Sequence, residues 1–173
     1  MPGRIEAFGP VAPPAARVLI LGSMPSVQSL NMGFYYAHPQ NAFWRIIAGV
    51  FDEPVPVDIP AKVALMERRD LALWDALKSC EREGSLDSAI REPEPNDFAG
   101  LFERCPRIER ILFNGATAQR MFEKYAGKYL SGRDWARMPS TSPAYTLSYE
   151  RKLALWRDGL DLSRPLAPQG TVK

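Results

Sequence analysis

The sequence predicts an α/β fold, a short and mostly parallel sheet with helices on both faces, from three observations. Apolar runs that read as buried strands alternate along the chain with segments whose apolar residues recur at helical spacing. Three of those runs end on glycine or a polar residue: Arg17 to Leu21 at Gly22, Leu71 to Trp74 at Asp75, and Ile108 to Phe113 at Asn114-Gly115. The 173 residues, 46% hydrophobic and 24% charged, suit one soluble domain with an ordinary core, and no repeat or linker divides them.

The elements follow in order. Pro2 to Pro14 and Pro165 to Pro168 mark terminal arms expected to be irregular, leaving a core over roughly 17–160. Arg17-Val-Leu-Ile-Leu21 is apolar throughout its second half, as a strand covered on both sides must be. Phe43 to Phe51 and Ile59 to Arg69 read as helices. Leu71 to Trp74 is a short buried strand, followed by a polar loop that contains Gly84-Ser85-Leu86-Asp87. Asp97 to Glu103 predicts a helix with Asn96 or Asp97 as its N-cap. After the strand Ile108 to Phe113 come a helix over Ala116 to Tyr125, a Ser/Pro-rich loop over Met138 to Tyr145, and an amphipathic helix over Leu147 to Leu160. Ligands of open parallel sheets bind beyond the carboxyl ends of the strands. Gly22-Ser23-Met24-Pro25, Asp75 and Asn114-Gly115 are therefore expected to converge on one edge as the site.

Composition narrows the function. No apolar run is long enough to cross a bilayer, and Val18-Leu-Ile-Leu21 is too short for the core of a secretory signal, so a cytoplasmic protein is expected. Cys80 and Cys105 lack CxxC spacing and are expected to be reduced thiols. Two cysteines and one histidine cannot by themselves assemble a structural zinc site or an iron–sulfur cluster, and neither metal nor other cofactor is expected. The net charge of +2 is uneven: residues 1–100 carry 9 Lys/Arg against 13 Asp/Glu, and residues 101–173 carry 13 against 7. A basic second half suits a polyanionic partner, although solvated helix surfaces give the same pattern. No feature calls for an obligate oligomer, so a monomer is expected.

One block is specific. Gly22-Ser23-Met24-Pro25-Ser26 follows a strand, and Gly33-Phe34-Tyr35-Tyr36-Ala37-His38-Pro39-Gln40-Asn41-Ala42-Phe43-Trp44 follows it. Together they resemble the uracil-DNA glycosylase superfamily, and within it the hypoxanthine-DNA glycosylase branch. Trp74-Asp75, Gly84-Ser85-Leu86-Asp87-Ser88, Phe113-Asn114-Gly115 and Pro139-Ser140-Thr141-Ser142-Pro143 add to the resemblance, which spans Arg17 to about Leu160. It implies a single three-layer α/β/α domain with a short, mostly parallel four-stranded sheet. The implied activity is monofunctional hydrolysis of the N-glycosidic bond of a deaminated base in DNA, most of all hypoxanthine, in base excision repair. Where the superfamily's other branches hold a catalytic Asn or Asp in the first turn, this chain has Met24, which can neither orient nor deprotonate water. The resemblance moves the catalytic role to Asn41 in the His-Pro-x-Asn run.

The chemistry asks for particular side chains. A base buried in a duplex must leave the stack, at a cost of a few kcal/mol, and stacking on an aromatic side chain returns about 1–3 kcal/mol per base. Tyr36 is the candidate platform, though core packing explains an aromatic cluster equally well. Asn41 is no base, but its carbonyl oxygen can hold a water against the anomeric carbon; by local sequence alone it is equally a helix N-cap. His38 is a candidate for the leaving base or a phosphate. Asp75 is placed to accept from N1–H of hypoxanthine or to cap a turn. Asn114 is placed to read a base edge, order the water, or close an Asn-Gly turn. Gly22, Ser23, Met24 and Pro25 complete the expected base pocket. Ser26, Ser140, Thr141 and Ser142 are expected to contact DNA, with Lys124, Lys128, Arg133, Arg137, Arg151 and Lys152 supplying attraction to phosphates. Two rival readings stay open: uracil, xanthine or a mismatch as the target, and a non-catalytic nucleic-acid-binding module on the same scaffold.

Overall fold

The computed structural model describes residues 3–166. Its strands are β1 (Arg4–Glu6), β2 (Val18–Gly22), β3 (Leu71–Asp75), β4 (Leu77–Glu81), β5 (Arg91–Pro95), β6 (Arg110–Asn114) and β7 (Asp134–Met138). Its helices are α1 (Val27–Met32), α2 (Phe43–Val50), α3 (Ile59–Arg68), α4 (Phe98–Arg104), α5 (Ala116–Ala126) and α6 (Tyr149–Leu160). A four-stranded parallel sheet runs β3-β2-β6-β7, and a separate antiparallel sheet runs β1-β4-β5.

The expected α/β layering is present. Every residue of β2 and β3 is buried, as strands covered on both faces require. Successive residues of β6 point to opposite faces. Phe113 meets Phe122 of α5, ring centroids 5.5 Å apart, and Phe98 of α4 lies edge-on to both Phe122 and Trp74. Leu112 on the other face packs beneath Gly159 of α6, where an added Cβ would come within 2.7 Å of Met138 Sδ. Phe43 of α2 meets Trp156 of α6 on that same side. Helices α3, α4 and α6 start on side-chain caps: Asp58, Asp97 and Ser148 each accept from a backbone N–H in the first turn, so Asp97 rather than Asn96 caps α4.

Three expectations need correction. The first arm is irregular over much of its described length but not throughout: Arg4–Glu6 pairs with β4, and Val11 exchanges two backbone hydrogen bonds with Leu73. Indole Nε1 of Trp74 donates to Phe8 O and the Tyr35 hydroxyl to Gly9 O, so two buried aromatics pin that arm to the core. Only Pro165 and Leu166 of the second arm fall within the described residues. The stretch after β3 is likewise not a simple polar loop, because Ala76 N–H donates to Gly22 O and Leu77 N–H to Ser23 O. Those two bonds carry the chain across the end of β2 into β4. The second sheet therefore stands beside the carboxyl edge of the first. Finally, β6 begins at Arg110 instead of Ile108.

Candidate active site

The carboxyl ends of β2, β3 and β6 open into a cleft of about 570 Å³. The thirteen residues expected to be catalytic, to form the base pocket or to contact DNA directly all line it: Gly22, Ser23, Met24, Pro25 and Ser26 from the first turn, Tyr36, His38 and Asn41 from the loop before α2, Asp75 and Asn114 from strand ends, and Ser140, Thr141 and Ser142 from the loop after β7. Among the described residues no three of His, Cys, Asp and Glu gather into a set that could hold a metal ion.

The floor is built around a glycine. A Cβ on Gly22 would stand 2.5 Å from Asp75 Oδ1 and 2.6 Å from the Tyr36 hydroxyl, so only glycine lets both groups converge above the end of β2. Tyr36 has φ +52°, a left-handed conformation that costs a bulky residue about 1–3 kcal/mol and is held only where the surroundings over-determine it. Phe43 supplies that constraint, stacked on one face of the ring at 4.2 Å and 22°. The Tyr36 hydroxyl is buried without a hydrogen-bond partner among the described residues. Burial first, and the Asp75 carboxylate second, hold its phenol above the ordinary range; the Asn114 amide opposes this without meeting it in hydrogen-bond geometry.

Asp75 is 3% exposed, and its Oδ2 has no partner among the described residues. Its backbone carbonyl, in contrast, accepts from Asn96 Nδ2 at 2.7 Å. Burial, reinforced by the neighbouring Asp87 carboxylate and opposed by the Arg82 guanidinium, pushes the Asp75 carboxyl up to about 7. Arg82 is itself buried beside the first turn, donating one bond to Pro25 O and leaving Nε and Nη1 unpaired among the described residues.

Asn41 precedes the N-cap of α2, which is Ala42 and makes no side-chain cap bond, so the expected N-cap role gives way to a turn one residue earlier. Asn41 Oδ1 accepts from Phe43 N–H at 3.0 Å, an Asx turn at the start of α2, while its own N–H donates to His38 O. The bond uses one carbonyl lone pair and fixes the amide plane; the second lone pair and the NH2 group make no bond among the described residues. His38 Nδ1 accepts from Gln40 N–H at 3.1 Å, which leaves Nε2 as the protonated, donating nitrogen of the neutral ring.

The other strand end is tied down. Asn114 Nδ2 donates to Thr141 Oγ1 and Asn114 Oδ1 accepts from Thr141 N–H, both at 3.0 Å, and Thr141 O accepts from Ala42 N–H. Thr141 is 1% exposed and braces the loop from inside. Ser140 and Ser142 are partly exposed, and their hydroxyls accept from Ser142 and Ala144 N–H within the loop. Ser26 caps α1 through Ser29 N–H. Met24 belongs to a small buried cluster with Leu77 and Cys80, so it forms wall.

Sequence reasoning passed over part of the cleft. Ser29, Ser85, Leu86, Asp87 and Tyr145 also line it. Ser85 Oγ accepts from Val27 N–H and Asp87 Oδ1 accepts from Ser23 Oγ, which folds the Gly84-to-Asp87 loop over the first turn. That loop had carried a motif signal but no assigned role. The expected basic surround also changes. Helix α5 runs back from the carboxyl edge, so Lys124, Lys128 and Arg133 lie toward the opposite edge of the sheet, where Arg133 donates to Ile108 O and Tyr129 O. Lys152 is buried and donates to Ser142 O; Arg137 and Arg151 stay exposed near the cleft's side of the molecule.

Comparison with known proteins bears on the family and the fold. The model of the uracil DNA glycosylase superfamily matches residues 8–160. A hypoxanthine DNA glycosylase of Methanosarcina barkeri is 34% identical over 111 residues, 64% of this chain and 70% of that one. Its counterpart in Methanosarcina acetivorans is 38% identical over 114 residues, 65% and 72% of the two chains. A solution NMR structure from Methanosarcina acetivorans, described as a candidate uracil DNA glycosylase, superposes with a TM-score of 0.79 at 31% identity, covering 91% of this chain and 97% of that one. This chain belongs to the uracil DNA glycosylase superfamily.

Proposed function

We infer that this protein is a monofunctional DNA glycosylase that hydrolyses the N-glycosidic bond of a deaminated base, with hypoxanthine as its target, acting as a monomer on DNA. The superfamily membership and the two hypoxanthine DNA glycosylases it resembles support the reaction class. The observation that carries the site assignment is Asn41, whose amide is locked by Phe43 N–H on the rim of a cleft floored by Tyr36 and Asp75.

In this reading the flipped base enters the cleft and lies against the Tyr36 ring, whose far face is backed by Phe43. The free lone pair of Asn41 Oδ1 holds the attacking water, and its dipole faces the positive charge that develops on the sugar. His38 Nε2–H and Asp75 meet the polar edge of the base. Ser26, Ser140 and Ser142 contact the backbone on either side, positioning without reading sequence, while Thr141 and Asn114 keep that loop in shape. Each Oδ1 lone pair has its own duty: one starts the helix, the other orients water.

The test is base release from duplex oligonucleotides carrying hypoxanthine, uracil, xanthine or a thymine mismatch, read as strand scission after alkaline cleavage of the abasic site. Hypoxanthine release by the parent protein and its loss in Asn41→Ala are expected. Release of uracil in preference to hypoxanthine would move the target within the superfamily. Equal rates for parent and Asn41→Ala would remove Asn41 from the mechanism.

A further inference from the structure

Of the buried polar atoms left without a partner among the described residues, Asp75 Oδ2 and the Tyr36 hydroxyl lie in the cleft and crowd the same spot above Gly22. A carboxylate there has no cation in hydrogen-bond reach among the described residues. Its backbone is paired, its strand is fully buried, and the guanidinium of Arg82 donates elsewhere, to Pro25 O. An unpaired buried carboxylate is costly, whereas a neutral carboxylic acid is tolerable and carries a proton to donate.

We propose that Asp75 is held as the neutral acid and protonates the leaving base as the glycosidic bond breaks. This rests on the glycosylase reading above and turns the Asp75 contact from acceptance into donation. The balance is simple. As C1′–N9 breaks, its electron pair passes into the purine, and a lone pair of the base takes the proton from the Asp75 carboxyl. The water held at Asn41 forms the new C1′–O bond and gives up a proton to solvent, from which the Asp75 carboxylate is reprotonated. The base leaves neutral, and nothing is oxidised or reduced. The positions fit a division of labour, Asn41 at the rim facing the sugar and Asp75 on the floor beneath the base.

The groups that bear on Asp75 come from every side of its pocket. Asp87, from the loop folded over the first turn, favours the neutral form, and Arg82 at the end of β4 opposes it. Tyr35 and Tyr36 face it as neutral phenols. From β2 and β6 the neighbours are Gly22, Ser23 and Asn114, none of which titrates, and His38 lines the same cleft.

The experiment is the single-turnover rate of hypoxanthine release across pH 5 to 9 for the parent, Asp75→Asn, Asp75→Ala and His38→Gln. For an acid that must be protonated, the parent rate is level at low pH and falls about tenfold per unit above the titration, which burial places at about 7. Asp75→Asn is expected to lower the low-pH rate by about 10²-fold or more and to flatten the profile. His38→Gln must keep the slope. Xanthine, the more acidic leaving group, is expected to lose less on Asp75→Asn than hypoxanthine does. A slope that persists in Asp75→Asn, or vanishes in His38→Gln, overturns the proposal while leaving the glycosylase reading intact. No base release by the parent at any pH overturns the glycosylase reading itself. Circular dichroism of both Asp75 variants keeps a folding failure from passing as a catalytic one.

Discussion

At the amino ends of the parallel strands, Arg110 is 2% exposed and makes four hydrogen bonds through its two Nη atoms, with Nε alone left without a partner among the described residues. Its Nη1 donates to Gly159 O and Asp161 O, and its Nη2 to Arg164 O and Asp134 Oδ2. At the carboxyl ends, Asp75 is 3% exposed and its Oδ2 has no partner among the described residues, with an unpaired tyrosine hydroxyl beside it. Both are buried ionisable groups at the end of a strand in one sheet. The first gathers the carbonyls at the end of α6 and closes the fold. The second leaves polar capacity unspent inside a cleft, an arrangement that stability alone disfavours and that a ligand can complete.

Removing the well-paired group has a large expected effect. Arg110→Ala strands three carbonyls, while the mostly exposed Asp134 carboxylate turns to water, and a loss of about 3–5 kcal/mol is expected. Urea titration checks it as a lower midpoint at unchanged slope, with base release per folded molecule preserved. Asn41→Ala comes next, and its main effect falls on rate: a drop of about 10²–10³-fold. Loss of the Asx bond to Phe43 N–H adds about 1 kcal/mol of destabilisation. Asn41→Ser separates the two, since serine restores the turn and so the melting temperature, yet leaves release slow. A fast Asn41→Ser variant would mean that the turn alone mattered.

Asp75 gives a pH-dependent effect of opposite sign. An unfolded Asp titrates near 3.9, whereas burial raises the folded group to about 7. Between those values the folded state binds the proton more tightly, so this group's contribution is intact below about pH 4 and is lost as pH rises through about 7. Asp75→Asn has no such proton. Its stability advantage over the parent is expected to grow across that window to on the order of 4 kcal/mol at pH 8 and to be small near pH 4. Urea midpoints of the two proteins at pH 4, 6 and 8 decide it. A constant difference would mean that Asp75 is ionised throughout.

The well-paired edge and the open edge were not equally legible. Runs such as Val18-Leu-Ile-Leu21 announce a doubly covered strand because burial on both faces removes polar alternation, and Gly22, Asp75 and Asn114 stood out by ending such runs. Edge strands carry no such mark. In β7, Asp134-Trp-Ala-Arg-Met138 mixes exposed charge with buried apolar positions, and β5 contains two prolines on an edge where they cost no ladder bonds. The Arg110 clamp and the Gly84-to-Asp87 flap depend on residues about 50 to 60 positions apart, a pairing that local pattern does not encode. The same holds for Lys124, Lys128 and Arg133, which follow the cleft's motifs in sequence but are carried to the far edge by α5.

Asn114 offers the smallest and most discriminating perturbation at the open edge, because its amide is shared between bracing and any reading of the base. Thr141→Val removes the acceptor for Asn114 Nδ2 but keeps the backbone N–H that holds Oδ1. About 1 kcal/mol of stability and less than a tenfold loss of hypoxanthine release are expected. Asn114→Ala frees Thr141 N–H as well and is expected to cost more. If Asn114 only braces the loop, both variants slow hypoxanthine and uracil release in equal proportion, as a shifted phosphate contact would. If it reads the base, Asn114→Ala changes the ratio of the two rates and Thr141→Val does not. That ratio separates a strand end that completes the fold from one that addresses the substrate.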